Sequence, residues 1–200
     1  MTTRDSALQS FVDAAEAAFR HYAQDDASRV SIDSCFAALR EVAPIGDQAG
    51  HRLPVCDEWL PQVIQPDTLP VPLRPLAQTF LAIEPQIHWR PRTGDTTNAS
   101  ENFAQGHANA MILGPGGIEP RTDVLLGASL LAPHVRYPDH THPPEETYLV
   151  LTDGDFSQND GPWFTPGVGG SFHNTPGILH AMRSGESLLF AFWLLRAKDI

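Results

Sequence analysis

The side chains best suited to bind a metal ion are concentrated in one short segment, residues 139–146, which reads DHTHPPEE. Residues two apart on a strand project to the same face, so His140 and His142 can point together into an enclosed site. The Pro-Pro pair excludes a continuous helix, so His142 and Glu146 do not form the helical pair of a zinc protease. The same corner can instead start a strand that brings Glu146 back beside the histidines.

A further histidine follows a turn later in the chain. Residues 170–180 read GSFHNTPGILH, which places His180 at a strand start after a Pro-Gly turn and allows it to return to the first segment. Imidazoles with one carboxylate suit a borderline divalent ion such as Fe²⁺, Mn²⁺, Co²⁺, Ni²⁺ or Zn²⁺, and they argue against calcium. The two cysteines, Cys35 and Cys56, support neither a disulfide framework nor a thiolate zinc site.

A phenol lies close to this cluster in the sequence. Tyr148 follows Glu146 by two positions, so on a strand it shares the face of that carboxylate. Val150 continues the same face, and we expect Leu149 and Leu151 to pack behind it. The segment therefore predicts a strand with one face in the site and the other in the core.

The elements that position these side chains fall into two parts, a mostly helical extension over 1–85 and a β-barrel over 86–200. No helix-length segment separates the later strands, which disfavours a parallel sheet, and Gly/Pro turns between short strands favour a small antiparallel barrel. The fold class predicted is mainly β with α. The predicted helices are Ser6–Tyr22, Ser31–Val42, Cys56–Ile64 and Leu76–Ile83, and the predicted strands cover 86–90, 108–113, 123–132, 147–152, 170–172, 180–183 and 188–195.

The histidine motifs resemble those of the cupin superfamily. The first motif is His140-x-His142-x3-Glu146 with Gly154 after it, and the second lies within 170–180. This resemblance implies a double-stranded β-helix barrel with one metal ion in its mouth. The chain departs from the usual second motif in two ways, because its Pro and Gly are adjacent and the later Asn is missing.

A narrower resemblance covers most of the chain. Residues 139–148 look like the signature of cupin-type dimethylsulfoniopropionate (DMSP) lyases of the DddQ-like branch, and residues 179–184, which read LHAMRS, are similar too. A mostly helical N-terminal extension also fits that family. The similarity is strongest from Tyr137 to Trp193.

The resemblance implies a ligand set. In that family the metal is held by the second His, the Glu and the later His, often with the Tyr after the Glu. Carried over, these residues are His142, Glu146, His180 and Tyr148. His140 is a ligand by the general cupin pattern. The implied cofactor is one divalent transition metal ion, Fe²⁺, Zn²⁺ or Mn²⁺.

The reaction implied is β-elimination, which converts DMSP to acrylate, dimethyl sulfide and a proton. A divalent ion stabilises the negative charge that develops on the substrate carboxylate, and a nearby cation also favours a phenolate. Tyr148 is therefore the expected base, with Tyr137 the second candidate. The sulfonium group needs an apolar wall with aromatic ring faces. Candidates for that wall are Trp163, Phe172, Trp193 and Tyr22.

Composition narrows the choice of partners. The chain has 13 Lys+Arg against 24 Asp+Glu, a net charge of −11, which opposes binding to nucleic acid or to anionic membranes. The longest apolar run, 188–195, is far shorter than the ~20 residues of a membrane span. The N-terminus has no signal-peptide core, so we expect a cytoplasmic protein. We expect it to be a monomer or a homodimer. The alternatives are a cupin dioxygenase or isomerase acting on another small carboxylate or sugar, and a non-catalytic cupin that binds a small ligand.

Overall fold

The computed structural model describes residues 3–197 of the chain. Most of its helices lie in the first half, and short 3-10 turns at 66–68, 71–73 and 84–86 connect them to each other and to the first strand. No helix in this part of the chain combines the length and the apolar character needed to span a bilayer. The helices are α1 (Ser6–Tyr22), α2 (Asp26–Ala38), α3 (Pro54–Val63), α4 (Arg74–Ile83) and α5 (Phe103–Gly106).

Side-chain caps explain where the first two helices begin. The Asp5 carboxylate accepts hydrogen bonds from the first free N–H groups of α1, which has the predicted bounds. The prediction for the second helix, Ser31–Val42, was displaced, because α2 starts and ends earlier in the chain. The Asp25 carboxylate caps it by accepting hydrogen bonds from the backbone N–H and the hydroxyl of Ser28.

The strands form an antiparallel β-domain, as the predicted fold class requires. A six-stranded sheet has the order β1-β2-β3-β8-β4-β6, and a smaller sheet pairs β5 with β7. The strand over 155–158 was not predicted, and the predicted strand at 86–90 is shorter because residues 84–86 form a 3-10 turn. The strands are β1 (Trp89–Arg90), β2 (His107–Leu113), β3 (Val124–Leu131), β4 (Glu145–Val150), β5 (Asp155–Gln158), β6 (Ser171–Asn174), β7 (His180–Arg183) and β8 (Leu189–Arg196).

Two hydrophobic cores meet at the large sheet. On one side the helices pack on the strands, and the Phe80 ring lies 5.2 Å from that of Phe192 and 5.6 Å from that of Phe190. On the other side a smaller core lies inside the β-domain and includes Tyr148 and Val150. The alternation predicted for β4 is therefore confirmed, since Leu149 and Leu151 belong to the core between the sheet and the helices.

A glycine allows an unusually close approach between two strands. Gly127 on β3 pairs with Trp193 on β8. A Cβ atom at position 127 would lie 2.2 Å from the indole ring of Trp193 and 2.2 Å from the carbonyl oxygen of Ala110. Only a residue without a side chain lets the indole lie flat across the sheet here.

A buried ion-pair network joins the N-terminus to the β-domain. The Arg4 guanidinium donates to the Glu119 carboxylate over 2.6 and 3.0 Å, and Arg121 donates to the same carboxylate over 2.8 Å. The side chain of Glu119 is fully buried, and the backbone N–H of Ala43 also donates to it. Removing one member leaves buried charge without a partner.

We expect Glu119→Ala to lower the free energy of unfolding by about 3–5 kcal/mol, because the Arg4 charge then remains buried and unpaired. The matched control is Asp33→Ala, which breaks the exposed ion pair with Arg20 and should cost less than about 1 kcal/mol. Urea denaturation followed by circular dichroism measures both values. Equal losses for the two variants would contradict the structural role of Glu119.

Candidate functional site

The carboxylate of the predicted site lies on a central strand. Glu146 is the second residue of β4 and is buried, and β4 places it opposite Asn174 on β6 and Leu195 on β8. Tyr148, two positions further, is also buried on the same face. The strand therefore directs both side chains into the interior of the β-domain.

Backbone hydrogen bonds bring the segments that carry the histidines together beside this strand. The backbones of His140 and His180 exchange hydrogen bonds, each with an N···O distance of 3.0 Å. His140 and His142 lie outside the named strands, so a shared strand face does not position them, yet the two side chains do point into one cluster as predicted. The backbone N–H of Gly177 donates to the carbonyl of His142 over 3.0 Å, so the turn of the second motif is bound directly to the first motif.

All three imidazoles are held in one orientation by backbone carbonyls. The Nδ1 atom of each ring lies 2.9 to 3.0 Å from a carbonyl oxygen two residues away, and each Nδ1–H donates to it. A neutral imidazole that donates through Nδ1 carries a free lone pair on Nε2. The carbonyl acceptors therefore fix the tautomer: Pro138 for His140, Pro144 for His142 and Ile178 for His180.

These lone pairs converge on one point. The three histidines can each offer a ligand atom within 4.8 Å of the others. One Glu146 carboxylate oxygen lies 3.4 Å from Nε2 of His142 and 3.2 Å from Nε2 of His180. The Nε2 atoms of His142 and His180 are buried without a hydrogen-bond partner among residues 3–197. A set of electron-pair donors with this composition fits a divalent transition metal ion.

The electrostatics of the cluster agree with a site built for positive charge. Burial alone would raise the pKa of Glu146, but the rings of His142 and His180 hold it well below its usual range. Burial alone would lower the pKa of His142, and the Glu146 carboxylate raises it overall. Burial and the neighbouring His180 ring outweigh the Glu146 charge at His140 and lower its pKa to about 3. The Glu146 carboxylate is therefore ionised and favours a cation beside the rings.

Two phenols face the same space. The Tyr148 ring stacks on that of Phe172 with a centroid distance of 5.2 Å, and burial together with the Glu146 charge raises its pKa well above the usual value. Burial also raises the pKa of Tyr137, whose hydroxyl accepts a hydrogen bond of 2.8 Å from the Asn109 amide. A phenolate at either position therefore requires a cation close by.

A cavity of about 390 Å³ opens beside the cluster. Of the aromatic residues expected to face a sulfonium group, only Trp193 lines it within the described chain. The Trp163 ring is instead covered by the guanidinium groups of Arg136 and Arg183. The cavity is lined by Arg92, Asn109, Met111, Leu125, Ser129, Tyr137, His140, His142, Pro143, Pro144, Glu146, Tyr148, Met182, Trp193 and Leu195.

Sequence reasoning missed several polar residues of the site. The Asn174 amide donates to the Glu146 carboxylate over 3.0 Å, and the Gln158 amide donates to Asn174 over 2.6 Å. On the opposite wall, the Trp193 indole N–H donates to the Ser129 hydroxyl, which donates to the amide oxygen of Asn109. Their only signal is that each is a polar residue within a strand, with Asn174 and Ser129 buried, which becomes informative once the sheet is known.

Comparisons with known proteins give matches to a family model and to solved structures. A family model for dimethylsulfoniopropionate lyases matches residues 27–191. The DMSP lyase DddQ from Ruegeria pomeroyi DSS-3 has a similar structure, with a TM-score of 0.72 and 21% identity over 98% of this chain and 94% of that one. A crystal structure from a study of the DMSP lyases RdDddP and RnDddQII gives the same values.

A curated relative adds a match at the sequence level. A protein of Cereibacter sphaeroides named for dimethylsulfoniopropionate lyase activity, DddL, is 34% identical over 84 residues. The aligned part is 42% of this chain and 35% of the relative, so it spans about a third of DddL.

We expect His142→Ala and His180→Ala each to weaken metal binding by more than roughly tenfold, because each removes one convergent lone pair. Titration of Zn²⁺ or Mn²⁺ into metal-free protein, followed by elemental analysis, measures affinity and stoichiometry. His51→Ala is the control, since His51 is exposed and lies outside this cluster. Unchanged metal binding in both site variants would refute the proposed centre.

Proposed function

This chain belongs to the DMSP lyase family, and from that premise we propose that it cleaves DMSP to acrylate and dimethyl sulfide by β-elimination. The observation that carries the proposal is the convergence of three oriented imidazoles, one buried carboxylate and two phenols on a single cavity. Neither the family nor the fold alone specifies the chemistry, whereas this set of side chains suits proton removal beside a carboxylate.

We propose that His142, Glu146 and His180 hold one divalent ion, Fe²⁺, Zn²⁺ or Mn²⁺, with His140 and Tyr148 as further ligands. The orphaned Nε2 atoms and the distances to Glu146 support the first three. Bound there, the ion supplies Lewis-acid stabilisation to the substrate carboxylate and favours a phenolate beside it.

The elimination is balanced by one proton transfer and one bond cleavage. A base removes a proton from the carbon next to the carboxylate, and the electron pair of that C–H bond forms the C=C bond of acrylate. The bond from the neighbouring carbon to sulfur breaks, and its electron pair leaves with neutral dimethyl sulfide. No general acid is needed, because the leaving group carries no negative charge.

Tyr148 is the proposed base and Tyr137 the second candidate. The Tyr148 side chain shares the strand face of Glu146 and stacks on Phe172, so its position is restricted before substrate arrives. The hydroxyl of Tyr137 already accepts a hydrogen bond from Asn109, which supports a role in positioning. Both phenols border the cavity in which the substrate would lie.

The remaining wall of the cavity suits the sulfonium end of the substrate. Met111, Leu125, Met182 and Leu195 exclude water there, and Trp193 supplies an electron-rich ring. The indole N–H of Trp193 is bonded to Ser129 over 3.1 Å, which fixes the plane of the ring. We propose that the sulfonium group lies against this wall, in place of the wider set of aromatic residues expected from the sequence.

We expect Tyr148→Phe to reduce the release of dimethyl sulfide by roughly 100-fold or more, because the phenol oxygen that accepts the proton is lost. The phenylalanine ring keeps the stacking on Phe172, so thermal stability should stay close to wild type, and His142, Glu146 and His180 should retain most of the metal. Headspace gas chromatography with DMSP and Fe²⁺, Mn²⁺ or Zn²⁺ measures the product. Oxygen consumption, measured in parallel, separates a lyase from a dioxygenase.

Tyr137→Phe is the matched variant, and we expect it to lose less activity. Normal turnover by Tyr148→Phe together with an inactive Tyr137→Phe would assign the base to Tyr137. If metal-loaded wild-type protein released no dimethyl sulfide from DMSP, the proposed substrate would be wrong.

A further inference from the structure

The cavity contains an arginine that neither the motifs nor the proposed mechanism uses. Arg92 follows β1 by two residues, is half-buried and lines the cavity. The central carbon of its guanidinium group lies 5.3 Å from the centre of the Tyr137 ring. His140 and Tyr148 line the same cavity, which places Arg92 close to the reacting region.

Arg92 has no anionic partner among residues 3–197. Seven other arginines form ion pairs with carboxylates within 4.0 Å, whereas Arg92 forms none. The Nε atom of Arg92 is buried without a hydrogen-bond acceptor. The nearby Asp95 carboxylate is exposed and is influenced by the Arg92 charge, yet it does not form an ion pair with it. A guanidinium on a cavity wall with a buried, unused Nε donor favours an anionic ligand.

The backbone of Arg92 is held in place from inside the β-domain. Its N–H donates to Nε2 of His107 over 2.7 Å, and Nδ1–H of the same ring donates to the carbonyl of Phe103. The His107 ring stacks on the Phe103 ring with a centroid distance of 3.7 Å. Burial lowers the pKa of His107, so the neutral ring can accept the hydrogen bond from Arg92.

We propose that the Arg92 guanidinium binds the carboxylate group of the substrate and of the product at the wall of the cavity. The inference deepens the proposed function, since it names a residue that recognises the acid end of a sulfonium carboxylate. Arg92 is the only arginine or lysine on the cavity wall of the described chain, in a protein with a net charge of −11. It therefore provides local attraction for an anion that the rest of the protein repels.

The charge of Arg92 also sets the direction in which a zwitterion binds. A guanidinium attracts the carboxylate and repels the sulfonium group, so the cationic end turns toward the apolar wall that contains Trp193. A guanidinium can offer two parallel N–H donors to a carboxylate, which a lysine cannot reproduce. We therefore expect Arg92 to act on binding and orientation.

The test measures binding of acrylate to metal-loaded protein by isothermal titration calorimetry. We expect Arg92→Gln to weaken acrylate binding by about tenfold or more and Arg92→Lys to weaken it less, because lysine keeps the charge and loses the paired donors. Acrylamide, which has the same shape and no charge, should bind the wild type and Arg92→Gln equally. The matched control is Arg90→Gln, because the Arg90 guanidinium donates to the Gly116 carbonyl and is not part of the cavity wall.

Kinetics provide a second readout. With DMSP as substrate, Arg92→Lys should raise KM by a larger factor than it lowers kcat, whereas a purely structural defect would lower the thermal stability and the metal content. Acrylate affinity in Arg92→Gln within about twofold of wild type would overturn the inference. So would an equal loss in Arg90→Gln. Arg92-dependent acrylate binding in a protein that does not cleave DMSP would uphold the carboxylate site and reject only the proposed substrate.

Discussion

Four electron-pair donors face one another in a buried space, and the rest of the site depends on that arrangement. The backbone carbonyls that accept from Nδ1 leave the Nε2 lone pairs of His140, His142 and His180 directed inward, toward the ionised carboxylate of Glu146. Without a cation, these groups repel each other and lose hydration. The divalent ion that we propose would offset the free energy cost of assembling them, which would couple folding to metal binding.

The large sheet and the helices together maintain this arrangement. The sheet positions Glu146 between Asn174 and Leu195, while the aromatic core around Phe80 anchors the opposite face of the sheet. The two histidine motifs are joined by backbone hydrogen bonds, in particular from Gly177 to His142. The cluster is therefore a property of the whole β-domain, because its members come from three separate segments: the loop before β4, β4 itself and β7.

Residue type and spacing were sufficient to predict the cluster of His142, Glu146 and His180. Proline and glycine mark the turns that bring these residues together, and those turns can be recognised even where the strand bounds are predicted inexactly. The backbone conformation that places these residues was less predictable, since His142 lies outside any strand. Arg92 could not be found in the sequence, because its place on the cavity wall follows from tertiary packing, including its backbone contact with His107. Local patterns therefore identify ligands, whereas tertiary contacts determine which neighbouring charges act on them.

The contact between Gly127 on β3 and Trp193 on β8 determines where one wall of the cavity lies. Because no Cβ atom fits at position 127, the indole can lie against the backbone and leave space in front of it. The width of the cavity is thus linked to a residue that is not part of its lining. Exchange of the indole for a smaller side chain would not free this position, because the Ala110 carbonyl oxygen would still fill the space of a Cβ atom, so glycine stays required at 127 whatever residue occupies 193.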